Sequence, residues 1–197
     1  MKCLVVIAHP LSDSLCQSLA ETVVSHLSSL GNIVVVEDLY RSNFNPVLSP
    51  PERASYYSSK FNSSELTSQI DNLLSAQSLI LIFPTWWFGF PAILKGWFDR
   101  VWAPGIAYDH ASNFGPIKPR LSNIQYTLAI TTLGSPWWVD TLIMRNPVRR
   151  ILKAAILGAC ARSSKFEMLS LYKAESLTSA QVQSFQSKIK RLLSRWR

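Results

Sequence analysis

Short, unbroken apolar runs recur along the chain, each bounded by polar or turn-forming residues. A run of this kind is typical of a strand that is buried on both faces of a parallel sheet. The runs that predict strands are Leu4–Ile7, Ile33–Val36, Leu79–Phe83, Tyr126–Ile130 and, in a less regular form, Phe166–Leu171. We expect the second run, Ile33–Val36, to be as buried as the first.

The segments between these runs carry the apolar spacing and the capping residues of helices. From Ser14 to Leu30 the apolar residues recur every four positions, a capping box of Ser14 with Gln17 opens the segment, and Gly31 ends it. Three further helices are predicted: one that opens at Asn62 with Glu65, one over Asp140–Leu157, and one from Thr178, whose capping partner is Gln181, to Trp196.

The alternation of strands and helices predicts an α/β fold. We expect a doubly wound, five-stranded parallel sheet with helices on both faces, in one domain over residues 1–197. The segment Tyr40–Lys60, rich in Pro, Ser and Asn, is predicted to be a long surface excursion. Ligands of such sheets bind beyond the carboxyl ends of the strands. The loops after Ile7, Phe83 and Ile130 are therefore the candidate site.

Composition narrows the class of protein. With 48% apolar and 16% charged residues, the chain is globular rather than disordered. The three cysteines are widely spaced, which predicts neither disulfides nor a metal site and favours the reducing cytoplasm. The longest apolar stretch, Leu79–Leu94, is interrupted by Pro84, Gly89 and Pro91, so no transmembrane segment is predicted.

The formal charge of +8 is unevenly spread, because Glu167 and Glu175 are the only acidic residues beyond Arg145. A basic surface can attract phosphates, nucleic acid or anionic lipid. The basic residues lie mainly on predicted helices and form no recognisable nucleic-acid module. We therefore interpret them as a solvated basic face and predict no nucleic-acid partner.

The first candidate loop, His9 to Ser14, brings hydroxyls, an imidazole and the start of a helix to one place. Unpaired backbone N–H groups and the helix dipole make such a place an anion site. The spacing matches neither a P-loop nor a dinucleotide-binding fingerprint. Two interpretations stay open: the loop binds an anion, or Ser14 only caps the helix and His9, which caps nothing, packs at the strand end.

The second loop, Phe83 to Pro91, places aromatic residues directly after a buried strand, where a core does not need them. Gly89 and the prolines fix a turn whose backbone amides can face a planar ligand. The alternative to a ligand site is a tryptophan cluster packed under a helix.

The third loop, Thr131–Ser135, consists mainly of small and hydroxylated residues. Together the loops describe a site with an anionic end and a flat aromatic end, which is the outline of a flavin nucleotide.

At these residues the sequence resembles the NAD(P)H:quinone oxidoreductase family of flavodoxin-like flavoproteins. The resemblance is carried by Phe83-Pro84 followed by Trp87–Val101, and by Asp38–Tyr40, Asn43–Pro46 and Ala107-Tyr108. It fades after about Gly134. The resemblance implies a flavodoxin-like fold, non-covalently bound FAD (with FMN as the alternative), NADH or NADPH as the electron donor, a quinone-like acceptor, and a homodimer with its sites at the interface.

The resemblance also implies roles for individual residues. The phosphate and ribityl side of the flavin would be held by His9, Ser14 and Leu15. The ring would be wrapped by Pro84, Thr85, Trp86, Trp87 and Phe88, with Thr131, Thr132 and Gly134 along its other edge. The acceptor pocket of the partner subunit would be roofed by Tyr108 and His110.

Two stretches depart from the family pattern. Ser14-Leu15-Cys16 stands where the family usually has Asn after a Ser-Phe pair. The stretch Pro136–Asp140 lacks the Tyr and the His that better-known animal members carry after the third loop. No catalytic acid or base is therefore assigned.

The predicted function is ping-pong hydride transfer from NAD(P)H, by way of the flavin, to a quinone or similar flat acceptor. A flavodoxin-type electron carrier and a regulatory flavoprotein partner of a membrane transport protein are the alternatives. A redox titration separates the carrier from the enzyme, because a carrier stabilises the one-electron-reduced flavin. Nucleic-acid binding is the least favoured function and would show as steeply salt-dependent association.

Overall fold

The computed structural model describes residues 1–58, 61–110 and 115–196. Its strands are β1 (Lys2–Ile7), β2 (Ile33–Asp38), β3 (Ser78–Pro84), β4 (Tyr108–Asp109), β5 (Lys118–Pro119), β6 (Tyr126–Leu133) and β7 (Lys165–Tyr172). Its helices are α1 (Leu15–Ser29), α2 (Pro50–Ala54), α3 (Thr67–Ser75), α4 (Ala92–Val101), α5 (Pro147–Arg150), α6 (Gly158–Cys160) and α7 (Ser179–Leu193). Across the described residues, every helix is too short or too polar to cross a membrane.

Five strands form one parallel sheet in the order β2-β1-β3-β6-β7, and β4 pairs with β5 in a separate antiparallel sheet. The chain passes outward from β1 to β2 and then crosses back over β1 to β3. The direction of winding therefore reverses between β1 and β3, which makes their carboxyl ends the topological switch point. The predicted doubly wound, five-stranded α/β fold is confirmed.

The strands alternate between two apolar layers. In β1, Val5 and Ile7 pack with α1 and α7, whereas Leu4 and Val6 belong to the layer of α3 and α4. Both layers cover the middle of the sheet, and β3 is buried along its whole length. A central strand covered on both faces needs no polar alternation, which is why the apolar runs predict it correctly.

The second apolar run is a strand, but the prediction that Ile33–Val36 is buried is wrong. These residues begin β2, which lies at the edge of the sheet beside β1. Ile33 and Val36 are 67% and 45% exposed. An apolar run predicts a strand without showing whether other elements cover both of its faces.

The predicted surface excursion Tyr40–Lys60 is partly buried, with residues 59 and 60 outside the described part. It contains α2, which a capping box of Ser49 with Glu52 opens. Glu52 is only 4% exposed, and its Oε1 lies 2.6 Å from Nη2 of Arg100, a buried residue of α4. The excursion is therefore anchored to the core by a buried ion pair.

The helix predicted to open at Asn62 with Glu65 begins later, at Thr67, and its N-cap makes no side-chain hydrogen bond. Glu65 instead accepts a hydrogen bond from Nη2 of Arg100 at 3.1 Å. A tertiary ion pair thus uses the carboxylate that the local pattern assigned to a cap.

The other predicted helix ends are closer to the structure. Gly31 follows α1 with a φ of 76°, and both bonds of the capping box of Thr178 with Gln181 are present. The box predicted for α1 is half formed, because the Ser14 hydroxyl accepts from the Gln17 N–H at 3.2 Å but the return bond is not found among the described residues.

The predicted helix Asp140–Leu157 is broken. Two π-helical segments, Val139–Ile143 and Ile151–Leu157, flank α5. Between the first of them and α5, Arg145 and Asn146 have left-handed φ values of 58° and 51°. The break falls just before Pro147, the first residue of α5, because proline can start a helix but cannot donate a hydrogen bond within one.

We expect Glu52→Gln to lower the free energy of unfolding by about 3 kcal/mol, because it leaves a buried guanidinium short of compensating charge. Glu65→Gln is the matched control, since the Glu65 side chain is 76% exposed. Its expected cost is below about 1 kcal/mol. Denaturant titration at neutral pH measures both variants, and equal losses would contradict the assignment of Glu52 as the main partner of Arg100.

The same ion pair makes the stability depend on pH. Burial raises the pKa of Glu52, but the hydrogen bonds from Arg100 and Ser49 outweigh burial, and the pKa is lowered overall. A carboxylate of this kind stabilises the fold above its unfolded pKa of about 4.3 and loses that contribution as the pH falls through the lower folded value. The stability difference between wild type and Glu52→Gln should therefore shrink on acidification below that range.

Candidate functional site

The three candidate loops lie side by side at one edge of the sheet. The strand register places Ile7 beside Ile82, and Phe83 beside Thr131. The Ala8 N–H donates to the Ile82 carbonyl at 3.0 Å, which continues the ladder into the first loop. Because the strands are parallel, the loops that follow β1, β3 and β6 leave the sheet together at its switch point.

Direct hydrogen bonds join the loops. The Thr85 N–H donates to the Thr132 carbonyl at 2.9 Å, and the Thr85 hydroxyl lies 2.5 Å from the Thr131 hydroxyl. The Cys16 thiol, 3.6 Å from the Thr132 hydroxyl, joins α1 to the same place. Burial raises the pKa of Cys16 to about 11, so the thiol stays protonated at neutral pH and is no nucleophile.

The first loop ends at the N-terminus of α1. Ser14 is the N-cap, and the first turn of α1 contains no acidic residue that would offset the helix dipole. The first-turn N–H groups, including those of Leu15 and Cys16, therefore face outward and suit an anion. Capping and anion binding are compatible at Ser14, since its hydroxyl satisfies the Gln17 N–H and leaves the first two turn amides available.

His9 caps no helix, as expected, since the N-cap of α1 is Ser14, but its side chain does bond within the loop. Its Nδ1 accepts a hydrogen bond from the Leu11 N–H at 3.1 Å, so the imidazole braces the loop. The His9 ring also lies 6.4 Å from that of Trp86 in the second loop, measured between centroids. A change at His9 would consequently loosen the loop itself, whatever the loop binds.

The second loop makes a tight two-residue turn. The Trp86 N–H donates to the Gly89 carbonyl at 3.3 Å, and the Gly89 N–H donates to the Trp86 carbonyl at 2.9 Å. The two central residues, Trp87 and Phe88, both have left-handed φ values, 51° and 54°. Such a turn normally has Asn-Gly at its centre, because only small or special residues adopt this backbone at low cost. Pro84, which ends β3, is buried at the base of the loop.

The turn is held in a costly backbone conformation and displays its largest side chain to solvent. Trp87 is 99% exposed, so burial does not compensate for the strain of its backbone. No hydrogen bond to the N–H groups of Trp87 or Phe88 is found among the described residues. Strained residues that persist without a folding benefit cluster at functional sites. The turn therefore offers two free backbone donors beside exposed aromatic rings.

The third loop adds hydroxyls. Thr131 and Thr132 are buried at the end of β6, and Gly134 follows them, with the Glu175 carboxylate 3.4 Å from the place where a Cβ would be. The next residue, Ser135, belongs to the predicted third loop but has no predicted role of its own, and its hydroxyl is buried without a hydrogen-bond partner among the described residues. A buried, unpaired hydroxyl is costly unless a ligand or water satisfies it.

Sequence reasoning missed a buried pair beside this loop. Asp140 is 5% exposed, and its Oδ2 accepts a hydrogen bond from the Tyr172 hydroxyl at 3.0 Å. Tyr172 ends β7, in register with Leu133 of β6. Burial and the nearby Asp140 raise the pKa of Tyr172. The pair fastens the segment after the third loop to the sheet, and no local pattern could have indicated it.

Tyr108 and His110 are placed apart from the three loops. Tyr108 belongs to β4, in the separate two-stranded sheet. His110 packs edge-to-face against Tyr108, with ring centroids 5.4 Å apart, and stacks on Tyr57 at 4.9 Å. Within the described part of one chain, the structure thus joins eleven predicted flavin residues into one area and leaves the two predicted acceptor residues in another aromatic cluster.

Comparison with known proteins agrees with this architecture. The family profile described as having a flavodoxin-like fold matches residues 1–195. The chain is 35% identical over 150 residues to NAD(P)H dehydrogenase [quinone] 1 of Rattus norvegicus, covering 68% of this chain and 54% of the relative. The chain spans about half the length of the first curated relatives it matches.

Two solved structures are similar over nearly the whole chain. Smu.1420 of Streptococcus mutans has a TM-score of 0.85 and 29% identity, with 100% of both chains covered. The NAD(P)H:quinone oxidoreductase of Methanothermobacter marburgensis has a TM-score of 0.83 and 25% identity, covering 98% of this chain and 95% of that one.

The fold and the converging loops define a doubly wound α/β protein whose candidate site lies at the switch point of its sheet. Within that class, the match over residues 1–195 shows that the chain belongs to the family with the flavodoxin-like fold.

We expect Trp87→Asn to raise the free energy of unfolding of the ligand-free protein by about 0.5–1 kcal/mol, because Asn tolerates the left-handed backbone that Trp does not. Trp138→Asn is the matched control. Trp138 is 46% exposed, and its φ of −68° carries no such strain. Urea unfolding compares the two, and a loss of stability in Trp87→Asn would show that contacts, not strain, dominate at this position.

Proposed function

We propose that the protein is a flavin-dependent NAD(P)H:quinone oxidoreductase that passes a hydride from NAD(P)H, by way of the flavin, to a quinone or similar flat acceptor. The observation that carries the proposal is the convergence of a helix N-terminus, a strained aromatic turn with free amides, and a hydroxyl-rich strand end at one switch point. Membership of the family and the similarity to quinone dehydrogenases add support.

The residues present fit a flavin nucleotide. The first turn of α1 would receive the phosphate, since it offers backbone N–H groups at the positive end of the helix dipole and contains no acidic residue. The free N–H groups of Trp87 and Phe88 would meet the polar edge of the ring, and Trp86 would lie against its apolar part. The orphaned Ser135 hydroxyl would gain a partner along the other edge.

When bound, the flavin supplies the hydride chemistry, which no side chain of this site can supply. The protein would bind the flavin, orient it and adjust its reactivity. The amides of Trp87 and Phe88, fixed in their direction by the turn, would stabilise negative charge on the reduced ring without reorganising. Thr85, bonded to Thr131 and Thr132 of β6, would keep the second and third loops at a constant separation. No acid or base is assigned, and ping-pong alternation of donor and acceptor is part of the proposal.

Which flavin the protein binds is a separate question from whether it binds one. The preference for FAD over FMN finds no support in the comparisons. Two solved structures described as complexes with FMN are 16% and 20% identical and show the fold alone. We propose a flavin nucleotide held chiefly by its phosphate and ring, the parts that FMN and FAD share.

The acceptor would bind above the ring, roofed by Tyr108 and His110 of a second copy in a homodimer. Support comes from aromatic surface near the loops, where Trp86, Trp137 and Trp138 are all more than 40% exposed. Large aromatic surfaces of this kind are unusual on a monomer.

We place the protein in the cytoplasm because all three cysteines are free. Recovery of the protein with periplasmic or extracellular markers on cell fractionation would contradict this placement.

We expect the purified protein to show a flavin absorption spectrum that bleaches on anaerobic addition of NADH or NADPH and returns on addition of a quinone. Mass spectrometry of the released cofactor identifies FMN or FAD. A protein that takes up neither flavin would overturn the proposal. One that bleaches but never reduces a quinone would favour the electron carrier.

Ser135→Ala sharpens this test. The variant removes an unpaired buried hydroxyl, so the ligand-free protein should keep or slightly gain stability, while the flavin dissociation constant should rise by about fivefold, the scale of one hydrogen bond. Ser78→Ala is the control, because the Ser78 hydroxyl is also buried without a hydrogen-bond partner among the described residues but lies at the amino end of β3, away from the site. Equal flavin affinity in both variants would remove Ser135 from the site.

We expect sedimentation velocity to give a dimer at micromolar concentration. A second copy would bury the exposed tryptophans and would supply Tyr108 and His110 to the acceptor pocket. A flavin-loaded protein that sediments as a monomer yet reduces quinones would contradict the shared site while leaving the hydride chemistry in place.

A further inference from the structure

An aromatic cluster that contains the cation Arg53 lies beside the residues proposed to roof the acceptor. The guanidinium carbon of Arg53 lies 5.4 Å from the Tyr56 ring centroid and 5.3 Å from that of Tyr57. Tyr57 in turn stacks on His110, with ring centroids 4.9 Å apart and an interplanar angle of 24°. Tyr57 is 74% exposed, so the stack faces solvent rather than the core.

Hydrogen bonds to the backbone and a neighbouring ion pair fix the position of the cluster. The His110 Nε2 lies 3.2 Å from the Tyr56 carbonyl, which fits an Nε2–H donor. The Tyr56 hydroxyl donates to the Asp99 carbonyl of α4. Residue 53 follows Glu52, whose carboxylate is locked to the buried Arg100. The rings and the cation are thus carried by a rigid segment rather than by a free loop.

The charge of Arg53 is uncompensated. Within residues 1–58, 61–110 and 115–196, no carboxylate forms an ion pair with it. Arg100, by contrast, is paired with two carboxylates, and Arg120 pairs with Asp109 at 3.0 Å. A cation that is stacked on aromatic rings and lacks an anion is a preformed partner for an anionic ligand.

A cavity of about 470 Å³ opens next to the stack, and this is large enough for a two-ring aromatic molecule. Its described lining includes Tyr57, Phe61, Ile106 and His110. Polar and apolar groups contribute about equally, since Ser58 and Ser63 also line the cavity, and the aromatic rings supply its flat surfaces. The Asp109 carboxylate also lines it, but the ion pair with Arg120 offsets its charge.

We propose that Arg53, Tyr57 and His110 form a subsite for flat aromatic acceptors that carry a negative charge, such as a sulfonate or a carboxylate. The rings would bind the aromatic body and Arg53 the anionic group. Arg53 is then a specificity-determining residue that favours anionic over neutral acceptors. This rests on the proposed function, which places His110 at the acceptor.

The test uses a matched pair of acceptors, 1,4-naphthoquinone and its 2-sulfonate, with the flavin-loaded full chain. For Arg53→Gln we expect kcat/KM for the sulfonate to fall about threefold, the scale of a partly solvated ion pair, while the neutral quinone changes little. Arg53→Lys should retain most of the activity toward the sulfonate. Raising NaCl to about 0.5 M should erase the difference, because salt screens an exposed pair.

Arg191→Gln is the charge-matched control, since Arg191 is an exposed residue of α7 on the other layer of the sheet. The proposal is overturned if Arg53→Gln affects both acceptors equally, or affects the sulfonate no more than Arg191→Gln does. Calorimetric binding of naphthalene-2-sulfonate to wild type, Arg53→Gln and Arg191→Gln needs no turnover. If wild type reduces neither quinone, the proposed function fails, and calorimetry still decides whether Arg53 binds an aromatic anion.

Discussion

Arg100 carries a full positive charge into the core, where it is 2% exposed. An uncompensated charge there would be prohibitive, so the surrounding chain must supply its partners. It donates to both carboxylate oxygens of Glu52, to the Asn45 carbonyl at 2.6 Å and to Glu65, and its guanidinium lies 5.6 Å from the Phe44 ring. One side chain thereby fixes four points of the segment between β2 and α3 against α4.

This contact relates the two proposed parts of the site. Helix α4 begins shortly after the aromatic turn, so whatever fixes α4 also fixes the end of the second loop. Helix α2 places Arg53 over the rings of Tyr56 and Tyr57. The same region demands a glycine, because a Cβ at Gly96 would lie 2.2 Å from the Pro46 carbonyl oxygen. Removing the ion pair would therefore disturb the aromatic cluster around Arg53 and the turn together, although Arg100 touches neither.

Features that depend on neighbouring residues could be predicted from the sequence, whereas features that depend on distant elements could not. The strands and the switch-point loops follow from apolar runs in a parallel sheet, and the cap at Thr178 follows from its neighbours, so all of them could be predicted. The exposure of Ile33, the ion pair of Glu65 and the Asp140–Tyr172 hydrogen bond could not, because each depends on an element distant in sequence. Tyr172 stands 32 residues from its partner. Of the two missed carboxylate contacts, the Asp140–Tyr172 bond lies beside the third loop, whereas Glu65 is an exposed partner of Arg100 away from the loops.

The turn at Trp87 and Phe88 departs clearly from the residue preferences of its turn type. Stability alone would select Asn-Gly at these two left-handed positions, and the chain has its bulkiest side chains there instead. Natural sequences agree with their fold at most levels and depart from it mainly at functional sites. The sequence pattern alone indicates the departure, because a Trp-Phe pair stands ahead of Gly89 and close behind a buried strand. The backbone geometry gives the reason for it. The left-handed pair turns two backbone amides and an indole out of the fold, and an Asn-Gly turn would present the amides without the aromatic surface that a planar ligand requires.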